Sequence, residues 1–348
     1  MDIDTQGQDA SSRVAVVTGG TAGVGRAVVR ELAAAGFDVA VLARGQAGLD
    51  ATTAEVRAVG RRACGIPTDV AHLDQVEAAV DTIEAELGPI SVWVNNAFVG
   101  ALRYSWDLPD EDFRRITEVT YFGQVNGMQA ALRVMRPREQ GSIVNVSSSL
   151  AHRGIPLQSA YCGAKHAIKG YTESLRVELA ATGSPVTVSL VTLPGVNTPQ
   201  FDWNDNQFPE RGHPMPVPPI YQPEVAARTI VDVAQRPRHD AWVGAPTVAT
   251  VLGNRFAPGL VDWQLRRSGV SSQFADGDLP RYPNNLHEPG DETHDRGAHG
   301  SFDDQARDSD PVSWLGMHLG RVLARTASTG LGLLEAAANR VQNDGRNG

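Results

Sequence analysis

Two residues of complementary proton chemistry stand four apart in Tyr161-Cys-Gly-Ala-Lys165. The surrounding stretch, Ala160–Ala181, carries a helical pattern, so both side chains fall on one face, one turn apart. A phenol with a pKa of about 10 is a poor acid or base at neutral pH unless a cation beside it stabilises the phenolate. Lys165 can supply that cation. Ser148 lies upstream at the end of a candidate strand, where its hydroxyl can hydrogen-bond a reacting oxygen, and Ser147 and Ser149 are the alternatives if the register differs by one. Together the three side chains suit proton transfer at an oxygen atom. Taken singly, each has a plainer reading, as an amphipathic helix face and a polar strand end.

A second cluster, Thr18-Gly19-Gly20-Thr21-Ala22-Gly23-Val24-Gly25, follows the first candidate strand and opens the first candidate helix. Glycines at such a turn let the backbone approach a pyrophosphate, whose charge meets the N–H groups and positive dipole end of the helix. The chain has 35 glycines, so it is the position between strand and helix that gives this cluster its meaning.

The elements that must position these groups alternate regularly up to about residue 245. Short β-branched runs occur at Val14–Val17, Asp38–Leu42, Arg62–Ile66, Ser91–Val94, Ser142–Val146, Val186–Val191 and Ala241–Val243. Helical patterns lie between them at Gly25–Ala35, Leu49–Val59, Leu73–Leu87, Pro109–Met135, Ala160–Ala181 and Pro223–Gln235. This alternation predicts an α/β fold, a Rossmann-like doubly wound parallel sheet of about seven strands with helices on both faces. Several strands are apolar throughout, as strands buried on both faces should be.

Residues 194–223 contain eight prolines together with Phe201, Trp203, Phe208 and Tyr221, which excludes helix there and predicts a long structured lid. Residues 271–310 hold eight Asp and two Glu against three Arg, and no Val or Ile. Such a segment is either disordered or wraps over the main domain. Its His287, His294 and His299 match no familiar metal spacing. Residues 312–342 return to a helical pattern that includes Trp314 and Leu315; docking on the domain or on a second subunit is the expected role, with peripheral membrane contact as the alternative. The reading is thus a polar N-terminal tail (1–12), a dinucleotide-binding catalytic domain (13–269) with its lid, an acidic irregular segment (270–311) and a C-terminal helical segment (312–348).

Composition narrows the function classes. The 348 residues carry 31 Lys+Arg against 40 Asp+Glu, a net charge of −9 that argues against nucleic acid as a partner. Two cysteines, Cys64 and Cys162, make neither a disulfide framework nor a zinc site, and with the polar, acidic start they point to a cytoplasmic protein. No stretch is apolar enough to be a transmembrane segment.

The glycine spacing Gly19, Gly23, Gly25 resembles the TGxxxGxG loop of the short-chain dehydrogenase/reductase family. Four further motifs of that family follow in order: Asp69-Val70, Asn95-Asn96-Ala97, Ser148 with Tyr161 and Lys165, and Pro194-Gly195-Val196-Asn197-Thr198. The resemblance covers about residues 13–245. It implies that Ser148 orients a carbonyl, that Tyr161 transfers the proton, and that Lys165 also holds the nicotinamide ribose. It further implies cofactor contacts from Gly19, Thr21, Ala22, Gly23, Val24, Gly25, Asp69, Val70, Asn96, Ala97, Pro194, Gly195, Val196 and Thr198. A homodimer or homotetramer is expected on the same ground.

Two positions depart from the family pattern. Thr120 stands where a fourth catalytic residue, an Asn, is usual, and Phe98 replaces a glycine beside the cofactor, where it can line the substrate site. Asn126 is near but not at the matching position. At the end of the second strand, Ala43-Arg44-Gly45 offers a guanidinium and no carboxylate, which predicts NADP(H), with NAD(H) as the alternative. The expected activity is carbonyl–alcohol interconversion on a small-molecule substrate, a lipophilic ketone, aldehyde or secondary alcohol. A dinucleotide-binding scaffold or redox sensor is the rival from another class, motivated by Thr120 and Phe98.

Overall fold

A computed structural model describes residues 13–318 of the chain, except Asp278. The sequence readings for residues 1–12 and for most of the C-terminal helical segment lie outside the described residues.

Seven parallel strands form the central sheet: β1 (Val14–Thr18), β2 (Asp38–Ala43), β3 (Ala63–Pro67), β4 (Ile90–Asn95), β5 (Ser142–Ser148), β6 (Thr187–Leu193) and β7 (Asp240–Trp242). Their spatial order is β7-β6-β5-β4-β1-β2-β3. The order reverses at β1, and this switch point opens a crevice at the carboxyl ends of β1 and β4, where ligands bind in such sheets. The register pairs Val17 with Val41 and Val94, and Ser148 with Leu193.

Side chains alternate between two apolar layers, as strand geometry requires. Ala15, Val17, Val39 and Val41 pack under α1 (Gly23–Ala34), α2 (Gln46–Ala58) and α7 (Pro223–Gln235), whereas Val14, Val16, Ala40 and Leu42 pack under α3 (Leu73–Glu86), α5 (Gly123–Met135) and α6 (Ser159–Ala181). The seven candidate strands and six helical patterns therefore have counterparts, with one interruption. The long pattern from Pro109 to Met135 is divided into α4 (Asp110–Thr117), a π-helical turn (Glu118–Phe122) and α5. Two helices without a sequence signal, α8 (Ala245–Phe256) and α9 (Pro258–Ser268), extend beyond the last strand. Among the described residues no helix is long and apolar enough to cross a membrane.

The acidic segment follows the second of its two expected courses. From residue 279 to 310 it wraps the domain as a strap, burying Leu286, Ala298 and Phe302. Backbone bonds tie it down along its length: Tyr282 N–H to Asp202 O, Asn285 N–H to Trp203 O, Gly23 N–H to Gly297 O, and Arg307 N–H to Ile220 O. Two of its histidines meet carboxylates, His287 pairing with Asp112 and His299 with Glu224 and Asp303, while His294 bonds the Thr293 hydroxyl. No cluster of three metal-ligating side chains occurs among the described residues. Trp314 and Leu315, expected to dock on the domain, are half exposed on the helical turn 311–318.

Candidate active site

One cleft runs over the carboxyl ends of the strands, bounded by the glycine loop, the ends of β2, β4 and β5, the start of α6, the lid and the strap. All the sequence-predicted site residues line it except Gly25 and Thr120.

The glycine loop owes its residue types to close approaches. Gly19 adopts φ +63°, and a Cβ there would lie 2.8 Å from Ala97 Cα; a Cβ on Gly25 would collide with Gly19 O. Gly25 therefore supports the loop from behind. Thr18 Oγ1 accepts hydrogen bonds from Asn96 N–H (3.0 Å) and Ala97 N–H (3.1 Å), and Asn96 Nδ2 donates to Thr18 O and Gly19 O. These bonds lock the loop to the end of β4. Farther along the wall, Asp69 accepts from Arg115 (2.6 Å) and from Ala71 N–H, so its carboxyl lies below its usual range despite burial.

At the other end of the cleft, β5 and α6 bring Ser148, Tyr161 and Lys165 together. Ser148 and Tyr161 line the same end of the cleft, and Ser148 Oγ accepts from Leu150 N–H (3.1 Å), which pins it. Lys165 Nζ is buried, donates to Val146 O (2.9 Å), and lies 5.6 Å from the Tyr161 ring centroid. Burial pushes the Lys165 ammonium down to about 7 and raises the Tyr161 phenol well above its ordinary value. A phenol that keeps its proton at neutral pH, next to an amine that titrates there, can deliver a proton to an oxygen and be resupplied.

The short chain dehydrogenase family pattern matches residues 13–207, more than half of the chain. The chain is a short-chain dehydrogenase/reductase. It is 31% identical over 287 residues to the oxidoreductase YxnA of Bacillus subtilis, covering 82% of this chain and 80% of that one. It is 36% identical to the short-chain reductase NovJ of Streptomyces niveus, over 67% of this chain and 91% of that one. Among solved structures, actinorhodin polyketide ketoreductase with NADPH is 30% identical, with TM-score 0.56 over 63% of this chain and 89% of that chain. A short chain dehydrogenase/reductase of Burkholderia phymatum in complex with NAD shares the fold at 24% identity, with TM-score 0.63 over 73% and 95% of the two chains. The protein is thus an oxidoreductase of this family, acting between CH–OH and C=O with a nicotinamide dinucleotide and carrying a C-terminal extension.

The family's residues are not all used as the sequence reading expects. Thr120, read as a catalytic substitute, sits in the π turn with its hydroxyl donating to Val99 O (3.0 Å) and accepting from Val99 N–H (3.2 Å). It is fully buried and holds the segment after β4; it does not bond Lys165. Asn126 likewise braces a loop, donating to Val70 O (2.8 Å). Phe98 does face the cleft: its ring centroid is 5.5 Å from that of Tyr161 and 5.5 Å from Lys165 Nζ. Tyr104 and Trp106 stack on each other outside the cleft lining, and Trp106 is exposed.

Arg44 is the largest departure. Its guanidinium donates to the strap carbonyls of Asn285, His287 (2.7 Å) and Glu288 (3.4 Å). The sequence reading also lacks the strap's own contribution to the cleft, which comes from Asn285, Pro289, Gly290 and Asp291. No spacing rule could have found these residues, because they lie some 240 positions along the chain from Arg44 and in a stretch without periodicity.

Proposed function

We propose that this short-chain dehydrogenase/reductase interconverts a lipophilic ketone or aldehyde and the corresponding alcohol, with Tyr161 as the acid in reduction and the base in oxidation. The observation that carries the reading is the convergence of Ser148, Tyr161 and the buried Lys165 on one end of the cleft, with Lys165 Nζ 5.6 Å from the Tyr161 ring centroid. Ile155, Phe201, Met215 and Val217 line that end together with Phe98, which favours an apolar substrate.

Glycine-loop residues Gly19, Thr21, Ala22, Gly23 and Val24 suit the pyrophosphate of a nicotinamide dinucleotide, and Asp69, Val70, Asn96, Ala97, Pro194, Gly195, Val196 and Thr198 line the rest of its course. When bound, the dinucleotide supplies or accepts the hydride. Ser148 holds the substrate oxygen by a hydrogen bond, and Tyr161 donates its proton to that oxygen as negative charge develops. Lys165 stabilises the resulting phenolate and returns a proton to it. Oxidation runs these proton movements in reverse.

The sequence-based preference for NADP(H) rests on Arg44. With that guanidinium engaged by three carbonyls, its support is withdrawn, and the cofactor class is read as NAD(P). Two buried, unpaired cysteines support a reducing, cytoplasmic setting, and the exposed Phe113, Phe122 and Val177 support a homodimer or homotetramer. A panel of apolar ketones and secondary alcohols, followed by nicotinamide absorbance with each cofactor, tests the activity. Turnover confined to charged or strongly polar substrates overturns the substrate class.

A further inference from the structure

The two helices beyond the last strand leave their apolar residues in solvent. Among the described residues α8 buries only Thr247 and α9 buries none. In α8, Ala245, Ala249, Leu252 and Phe256 recur at the helical spacing of one face, and all four are exposed. Leu260 and Trp263 continue the exposure in α9. Four large apolar side chains, from 44% exposed at Leu252 to 78% at Phe256, thus stand within twelve residues around the corner between the helices. Polar contacts fix this hairpin to the domain: Asn254 Nδ2 donates to His152 O (2.7 Å), and Arg153 pairs with Asp262. The exposed apolar residues are therefore not the ones that hold it, and such a patch marks a surface meant for something else.

The charge on the hairpin says what that is. Arg255, Arg266 and Arg267 are exposed on the same two helices, and the Arg267 guanidinium lies 3.8 Å from the centre of the Trp263 ring. Asp262, the one acidic residue of the hairpin, is neutralised by Arg153. This reverses the balance of the whole chain, whose excess of acid is concentrated in residues 271–310. A second copy seated here about a two-fold axis would set the three arginines against their own counterparts. The C-terminal residues 319–348 carry four Arg against one Asp and one Glu, so their charge is repelled as well. An occupant both apolar and negatively charged satisfies the two halves of the pattern, and the interface of an anionic bilayer takes Trp and Phe at its acyl boundary and Arg at its headgroups. We propose that the α8–α9 hairpin docks on an anionic phospholipid surface, with Leu252, Phe256, Leu260 and Trp263 entering the interface and the three arginines meeting the phosphates. Acidic residues elsewhere in the chain do not oppose this, since salt screens exposed charges beyond about 8 Å. The contacts to His152 and Arg153 set the hairpin beside the segment whose Ile155 lines the apolar end of the cleft, so docking brings a lipid surface next to that end.

The test sediments the full-length protein with vesicles of phosphatidylcholine and phosphatidylglycerol, about two to one, and with vesicles of phosphatidylcholine alone. The wild-type chain should partition onto the anionic vesicles at least tenfold more strongly than onto the neutral ones, and added salt should weaken the binding. Arg255→Gln, Arg266→Gln and Arg267→Gln together should lower partitioning at least tenfold, and Phe256→Ser with Trp263→Ser at least fivefold. Circular dichroism checks that each variant keeps its fold; the arginine variant alters only exposed side chains and decides the matter by itself if the other unfolds. Sedimentation velocity without vesicles reads the rival occupant: a smaller species in the Phe256→Ser, Trp263→Ser variant than in the wild type would give the face to a second copy and overturn the proposal. Absence of binding by the wild-type chain, equal binding to both kinds of vesicle, or binding that either folded variant leaves unchanged overturns it too. None of these readouts depends on the substrate class or on turnover.

Discussion

The two ends of the cleft are built in different ways. At the end proposed for proton transfer, Ser148 and Lys165 are 17 positions apart, carried by the end of one central strand, itself buried along its length, and the helix that follows it. At the other end, Arg44, Gly45 and Gly48 meet Asn285, Asp291 and Glu292, joined across the length of the domain by a segment without regular structure. The first end is stiff because the sheet is stiff. The second is held by backbone hydrogen bonds, by two large buried side chains, and by an ion-pair network in which the buried Arg26 bridges Glu55 on α2 and Asp295 on the strap. The contrast teaches that one end of the cleft is positioned by the motif-bearing domain alone, whereas the other is completed by a segment outside it.

The sharpest way to break this contrast is at the proton-transfer end. Tyr161→Phe removes only the phenolic oxygen, and turnover should fall by ~10²–10⁴-fold while dinucleotide affinity and melting temperature change little. Near-normal turnover in a steady-state assay would remove Tyr161 from the mechanism.

At the other end the anchor is Phe302, which is 1% exposed and packs against His213 at 5.9 Å between ring centroids. Phe302→Ala should cost ~3–5 kcal/mol of stability, read in chemical denaturation, if the strap unfolds together with the domain. A loss below ~1 kcal/mol would mean that the strap opens on its own. By the same reasoning, truncation after residue 269 should not yield a well-folded domain, because it strips Phe302, Leu286, the Arg26–Asp295 pair and the bonds that cover the start of α2.

Lys165 offers a test through pH. Burial lowers its pKa in the folded protein from 10.5 to about 7, so the folded state binds fewer protons than the unfolded state between those values. The resulting destabilisation is complete below pH 7 and fades as pH rises toward 10.5. Lys165→Met should therefore stabilise the cofactor-free protein by ~2–4 kcal/mol at neutral pH, after allowing for the lost bond to Val146 O, and the gain should shrink toward pH 10. Melting curves at pH 6, 8 and 10 check this, and a pH-independent difference would show that the amine is not desolvated.

The smallest expected effect is that of Arg44→Ala, which releases three strap carbonyls and should cost ~1–3 kcal/mol of local stability. Hydrogen exchange resolved along the chain should show faster exchange in residues 285–292 of this variant, with the sheet unchanged. Unchanged protection of the strap would make its bonds to Arg44 incidental.

How much of this could be read in advance follows from the range of the interactions involved. Apolar strand runs, the glycine loop and the Tyr161–Lys165 spacing are local statements: strand and helix periods act over a few residues, and close backbone approach admits only glycine. These were enough to determine the doubly wound sheet and the family, and to single out the groups proposed for proton transfer. Thr120 shows the limit within the domain, since its hydroxyl is the right type in the right region, and only packing decided that it would hold Val99 and not face Lys165. Arg44 and Asp291 show the limit across it. A guanidinium after β2 reads as a phosphate ligand until another segment supplies carbonyls to it, and an aspartate in an acidic, aperiodic stretch reads as solvated until it is buried against Gly45 and Gly48. The sequence by itself determined which groups could react, because reactivity belongs to side-chain type and local spacing. Only the tertiary structure decided which charges remain free to meet a ligand, because hydrogen-bond partners and desolvation are set by segments distant along the chain.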